Sequence, residues 1–290
     1  MGKILVTGAS GVVGRHTLLH LLKHKSANQL VGLVRDPSKA EDLTAKGIEL
    51  RQGDYLDPEA LDRAFVGIDK LMLTATHAFT DRNTAHSNAI KAAVKAGVNH
   101  LVSMPIMRKP NSAFTMKEIT EEDIFTKKKI LASGLAYTFA EHPPFLDNIH
   151  FYIGQRAHET GVLVPTGDGK FTAATRDDLG AAHAAILAGI GHEGKTYRLT
   201  GNPAISFAEI ATTLSEVTGK KVPYRAVSEE EYTQIKAAEG WPAFVVDFAK
   251  GWVHGMNTNE WAEETNDLET LIGHKPTSPT DFFRKHYITA

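Results

Sequence analysis

The chain has 290 residues, 42% of them hydrophobic, and a formal net charge of −2. That size suits one large α/β unit or a main domain with a smaller one attached, and the near-neutral charge gives no global pull toward nucleic acid or an anionic membrane. There is no cysteine, so disulfides, thiolate catalysis and cysteine-ligated metals are excluded.

In chain order, Lys3–Thr7 reads as a short strand running into glycines. It starts too early to leave room for a signal-peptide core, and no apolar run approaches the roughly 20 residues that span a bilayer. The expectation is therefore a cytoplasmic protein. Val13–His24 carries Leu18, Leu21 and Leu22 on one helical side. Leu30–Val34 is a second strand, Ala40–Lys46 a short helix stopped by Gly47, and Ile48–Gln52 a third strand. Pro58–Phe65 is helical, with Pro58 fitted to a first turn. Lys70–Thr74 and His100–Ser103 are strands around the helix Asn83–Ala96. Glu121–Ser133 is a helix closed by Gly134, and Ala136–Ala140 a sixth strand. Strands separated by helical crossovers predict a doubly wound parallel sheet of Rossmann type over 1–150.

Residues 151–290 predict a smaller α+β substrate-binding region, with late strands able to rejoin the first sheet. Asp177–Leu187 reads as a helix, and Thr196–Leu199 and Val222–Arg225 as strands. Ser206 and Glu209 form a capping box for the helix Phe207–Thr218. Trp241–Trp252 reads as helix and apolar lining, with Phe244, Phe248 and Trp252 at helical spacing as core or pocket wall.

Gly8, Gly11 and Gly14 form G-x-x-G-x-x-G between a strand and a helix. Such a turn lets backbone approach a pyrophosphate at a helix N-terminus, through Gly8, Ser10, Gly11, Val12, Val13 and Gly14. The second strand ends at Arg35, where an NAD site usually carries a carboxylate. An Arg suits a 2′-phosphate, so NADP(H) is the expected cofactor, with Lys39 adding charge. Asp36 either caps the next segment or meets the ribose. Asp54, with Tyr55 beside it, either lies near the adenine or ends a strand-end turn.

These residues belong to a wider pattern. Val6-Thr7-Gly8-Ala9-Ser10-Gly11-Val12-Val13-Gly14, Val34-Arg35-Asp36, Gly53-Asp54-Tyr55, Ala96-Gly97-Val98-Asn99-His100, Gly134 to Phe139, Gly194 to Leu199 and Leu271 to Pro276 resemble the NmrA-like, atypical short-chain dehydrogenase/reductase family. The nearest branch is that of NADPH-dependent quinone oxidoreductases and triphenylmethane reductases. The resemblance implies NADP(H) in the N-terminal domain and substrate in a cleft under a smaller C-terminal one. It also shows departures. Tyr-x-x-x-Lys of ordinary short-chain dehydrogenases is absent: Asp123 stands four residues before Lys127, and Ile124 four before Lys128. Glu141-His142 replaces the family's Arg-Asn after the sixth strand.

A ketone usually needs a general acid, whereas a quinone or dye accepts hydride with little help, so the missing tyrosine favours an easily reduced planar acceptor. Thr74, Ala75, Thr76 and Met104 end the fourth and fifth strands and are expected at the cofactor, with His77 at the substrate. His142 is the candidate proton donor, with Glu141 holding its tautomer. Pro143 and Pro144 would stiffen the pocket floor, and Phe145 would stack on the acceptor. Lys128 is a candidate ribose contact and catalytic lysine, set against a solvated face over Lys127–Lys129. His16, His20 and His24 share a helix face, but without His-Glu-x-x-His no metal is expected. The rival class is a non-catalytic NADP(H)-sensing regulator. The expected partners are a small planar acceptor and at most a second copy of the chain, with neither nucleic acid nor membrane.

Overall fold

The computed structural model describes residues 2–287. Its first half alternates strand and helix: β1 (Lys3–Val6), α1 (Val12–Leu21), β2 (Leu30–Val34), α2 (Glu41–Thr44), β3 (Glu49–Gln52), α3 (Pro58–Ala64), β4 (Ile68–Leu73), α4 (Arg82–Lys95), β5 (His100–Ser103), α5 (Glu122–Ala132) and β6 (Ala136–Glu141). The remainder adds α6 (Ile149–Ile153), α7 (Ala157–Thr160), β7 (Val162–Pro165), α8 (Arg176–Ala188), β8 (Lys195–Arg198), α9 (Phe207–Thr218), β9 (Tyr224–Val227), α10 (Glu229–Ala238), α11 (Ala243–Asn257), α12 (Asp267–Ile272) and α13 (Pro279–Tyr287).

Seven strands form one parallel sheet in the order β3-β2-β1-β4-β5-β6-β8. β2 is apolar and buried along its whole length, because helices cover both faces of a parallel sheet. Leu18 and Leu21 of α1 and Leu179, Ile186 and Leu187 of α8 fill one face. Leu61 of α3, Ala89 and Ile90 of α4 and Ile130 of α5 fill the other. A separate core gathers Tyr152, Phe171, Phe207, Trp252, Trp261 and Phe283, beside the two-stranded β7–β9 pair. The strand order reverses between β1 and β4, so the crevice of this sheet opens at the carboxyl ends of those strands.

The chain crosses between the two cores more than once. β8 pairs with β6 in the main sheet, and α8 packs along α1. Element ends depart from the sequence reading where local chemistry intervenes. Asp36 accepts from the Ser38 N–H, and Pro37 opens a 3₁₀ turn over Pro37–Ala40, so the helix expected at Ala40 is preceded by a tighter one. The strand expected at Val222 begins at Tyr224 instead, because Pro223 has no N–H to donate. Ser206 and Glu209 form the anticipated capping box. Among the described residues, no helix is long and apolar enough to cross a membrane.

Candidate active site

The glycine turn presents an anion-binding surface. Gly8 adopts a positive φ of 62°, and the Gly11 N–H closes the turn on the Gly8 carbonyl at 2.9 Å. Ser10, Gly11 and Val12 are exposed, while Val13 is buried beneath. Gly11 caps α1 without a side-chain bond, which leaves the first helical N–H groups facing outward for a ligand. Gly14 has a different task. A Cβ there would stand 2.5 Å from the Gly8 carbonyl oxygen, so its hydrogen is what lets the turn close on the helix.

Arg35 lies exposed at the end of β2 and forms no ion pair among the described residues, and the Lys39 ammonium, also unpaired, acts on the Asp36 carboxylate only through space. Asp36 takes the capping role. The Ser38 hydroxyl and N–H bond its carboxylate and hold its pKa below the usual carboxylate range. Asp54 likewise serves its turn, accepting from the Leu56 N–H at 2.8 Å. Tyr55 departs from the expected cofactor contact. Its hydroxyl bonds the Thr74 carbonyl at 2.8 Å and the Thr7 hydroxyl, bracing the ends of β1 and β4.

At the ends of β4 and β5, Thr74, Ala75 and Thr76 line the rim half-buried, His77 is exposed, and Met104 is buried under the rim. The Thr74 hydroxyl oxygen is buried with no hydrogen-bond partner. A native fold rarely leaves such a group unpaired unless a ligand or water completes it.

The end of β6 corrects two expectations. Glu141 and His142 are adjacent, so they point to opposite faces of the sheet. Glu141 therefore cannot orient His142. It pairs instead with Lys127 at 2.6 Å and Arg198 at 3.1 Å on the α5 side. His142 is 6% exposed, stacks on Phe145 at 4.6 Å between ring centroids, and directs Nδ1 at the Pro143 carbonyl at 2.7 Å. Burial pushes its pKa down to about 4, so at neutral pH it is an uncharged packing group rather than a general acid. Pro144 is buried, while Phe145 keeps a partly exposed ring. Lys128 is exposed on α5 and lines a cavity behind the rim, bounded by α5, Glu141 and Arg198, so its position does not support the ribose contact.

Several residues were not anticipated. Arg82 is 3% exposed and ties the rim together. It donates to the Thr76 carbonyl at 2.7 Å and pairs with Asp123 at 3.2 Å, and Asp123 in turn accepts from the Ile106 N–H at 2.8 Å. Burial raises the Asp123 pKa, and Arg82 opposes that rise. The carboxylate standing four residues before Lys127 thus fastens the loops after β4 and β5. The only sequence signal for Arg82 was its place after the helix-capping Asp81, and its partner lies 41 residues away. Arg176, at the start of α8, sets its guanidinium 4.4 Å from the Phe145 ring centroid. Phe79, a non-glycine residue at φ 63°, contacts Phe244 at 5.2 Å and Phe248 at 5.1 Å. The string of rings continues through Trp252 to Tyr152. It joins the rim loop after β4 to the second core, and Phe79 and Phe244 remain 52% and 56% exposed.

The residues present fit a dinucleotide. The outward N–H groups of the glycine turn suit its pyrophosphate, free Arg35 and Lys39 suit an added phosphate, and the orphaned Thr74 hydroxyl suits a polar group on the rim. Comparison with known proteins agrees. The profile of an NAD(P)H-binding family matches residues 8–189. The chain is 34% identical over 276 residues to quinone oxidoreductase 2 of Escherichia coli (strain K12), covering 95% of each chain. It is 32% identical over 246 residues to the NAD(P)H azoreductase of Xenophilus azovorans, covering 84% of each. Among solved structures, an NADPH-dependent quinone oxidoreductase from Escherichia coli in complex with NADPH superposes with a TM-score of 0.92 at 31% identity, over 98% of this chain and 100% of that one. The Citrobacter sp. triphenylmethane reductase with NADP(H) gives 0.90 at 31%, over 98% and 99%. With the glycine turn, the sheet order and these matches in agreement, the chain belongs to the NAD(P)H-binding family of Rossmann-type proteins.

Proposed function

We propose that this protein is an NADPH-dependent reductase that delivers hydride to a planar, conjugated acceptor of quinone or dye type. The observation that carries the reading is one rim holding both an outward glycine turn with an unpaired Arg35 and, beyond it, partly exposed aromatic rings at Phe79, Phe145 and Phe244. When bound, the cofactor would supply the hydride. The chain's own contribution is to bind phosphate through backbone N–H groups and Arg35, to offer flat apolar surface to the acceptor, and to keep the rim loops fixed through Arg82 and Asp123. His142, the candidate donor at the end of β6, is held neutral and so offers no proton near neutral pH. An acceptor whose reduced form takes its proton from water fits that lack better than a ketone does. The names of the relatives, a quinone oxidoreductase, an azoreductase and a triphenylmethane reductase, point the same way.

The test is NADPH oxidation with a panel of quinones, azo dyes, triphenylmethane dyes, enones and ketones, with a no-acceptor control. Turnover with quinones or dyes and none with simple ketones is the expected result. Tight NADPH binding without oxidation by any acceptor would overturn it. The same protein would then be read as a sensor, to be checked by a partner whose binding distinguishes NADP⁺ from NADPH.

A further inference from the structure

Behind the rim, on the α5 side of the sheet, lies a cavity of about 500 Å³ to which the reductase reading assigns no ligand. Its lining includes Pro105 and Ile106, one face of α5 with Ile124, Lys128 and Leu131, and the loop residues Arg108, Lys109 and Pro110. The β5–α5 loop forms one wall of it. Pro105 accepts from the His142 N–H, and Ile106 bridges to His142, which closes the sheet between cavity and rim.

The charges in this cavity are unbalanced. Five cationic and two carboxylate side chains line it. Both carboxylates are already neutralised, Asp123 by Arg82 and Glu141 by Lys127 and Arg198. Among the described residues the side chains of Arg108, Lys109 and Lys128 form no ion pair, although the Lys109 backbone N–H donates to the Glu260 carboxylate at 3.1 Å. Arg108 spends one terminal nitrogen on the Ser112 and Phe114 carbonyls, at 3.1 and 2.6 Å, while its Nε has no acceptor. The apolar part of the lining is equally unspent, since Leu131 is 53% exposed beside those cations. A structural ion network consumes its charges, whereas three uncompensated cations around a concave, partly apolar surface are what an amphipathic anion requires.

We propose that this cavity is a second ligand site, which takes a small phosphate monoester carrying an apolar or aromatic group. The anionic head meets Arg108, Lys109 and Lys128, and the apolar group packs on Ile124, Leu131 and Pro110. The proposal does not depend on the reductase reading.

Phenyl phosphate is the probe, titrated calorimetrically into Arg35→Ala protein and into wild-type protein saturated with NADPH, so that binding at the glycine turn is removed by two independent routes. One equivalent should bind in both. Phenol and inorganic phosphate should each bind at least about tenfold more weakly, because each keeps only half of the recognition. Lys109→Glu combined with Lys128→Glu, and separately Leu131→Asp, should each weaken phenyl phosphate by about tenfold or more, with circular dichroism unchanged, as expected for exposed positions. Absence of binding in both preparations, equal affinity in both variants, or inorganic phosphate binding as tightly as phenyl phosphate would overturn the proposal.

Discussion

The two sides of the sheet's carboxyl end treat charge in opposite ways. At the glycine turn and β2, Arg35 and Lys39 stand exposed and form no ion pair among the described residues, and the helix N–H groups face outward. Around α4 and α5, Arg82, Glu122, Asp123, Lys127, Glu141 and Arg198 are joined in ion pairs, with Arg82, Asp123 and Glu141 buried. The first arrangement forgoes stability to remain ready for an anion. The second uses charge to hold loops, and removing one partner leaves another charge stranded in the interior. A titratable side chain near a strand end is therefore not a catalytic group by position alone; what matters is whether its hydrogen-bonding capacity is already used.

The largest test of this contrast is Arg82→Leu. It strands Asp123, and we expect a loss of about 3–5 kcal/mol, the range for breaking a buried ion pair, read from urea unfolding. The pH dependence has a definite sign. The folded-state pKa of Asp123 is raised by burial, and losing Arg82 raises it further. Between the unfolded and folded values the folded protein holds more protons, so stability is lost as pH rises through the folded value and regained on acidification. Arg82→Leu should thus recover relative to wild type as pH falls, and Asp123→Asn in the same chain should recover much of the loss at neutral pH. A deficit of under about 1 kcal/mol, the scale of a surface pair, would show that the network is not structural.

Next in size is Arg35→Ala, which touches only the ready side. It should weaken NADPH binding by about 1.5–3 kcal/mol, the range for charge-assisted hydrogen bonds, and leave NADH and the unfolding midpoint nearly unchanged. Calorimetric titration of both cofactors reads the difference directly, and equal losses for the two would remove Arg35 from the 2′-phosphate.

Gly14→Ala sharpens the comparison from the backbone. Its Cβ would press on the Gly8 carbonyl, so overpacking should cost about 1–3 kcal/mol in stability and weaken NADPH and NADH alike. Gly11→Ala has more room, with 3.2 Å to the same oxygen and an extended ψ of 167°, and should be the milder of the two in unfolding. The reverse order would reassign the two glycines.

The smallest effect concerns His142. With its pKa near 4, it should show no ionisation between about pH 5.5 and 8 in an NMR titration. The pH profile of kcat should carry no break that disappears in His142→Asn. A His142-dependent break near neutrality would restore it as a proton donor.

Much of this protein was written locally. The glycine turn, the six early strands, the capping box at Ser206 and the free Arg35 follow from short-range rules, because turn chemistry, period and capping act within a few residues. The fates of Glu141, His142, Asp123 and Lys128 were not legible in that way. Alternation along β6 could have shown that Glu141 and His142 face opposite sides, but not which side faced the rim. That depended on Lys127 and Arg198 claiming Glu141 and on Phe145 folding back to stack on His142. Arg82 and Asp123 meet across 41 residues, and β8 reaches the sheet edge only after the chain has visited the second core. The sequence by itself determined the doubly wound sheet and the place for a dinucleotide, since both rest on periodicity and backbone geometry. Only the tertiary structure decided which charges are spent and which are free, because desolvation and ion pairing belong to neighbours that the chain brings together from a distance.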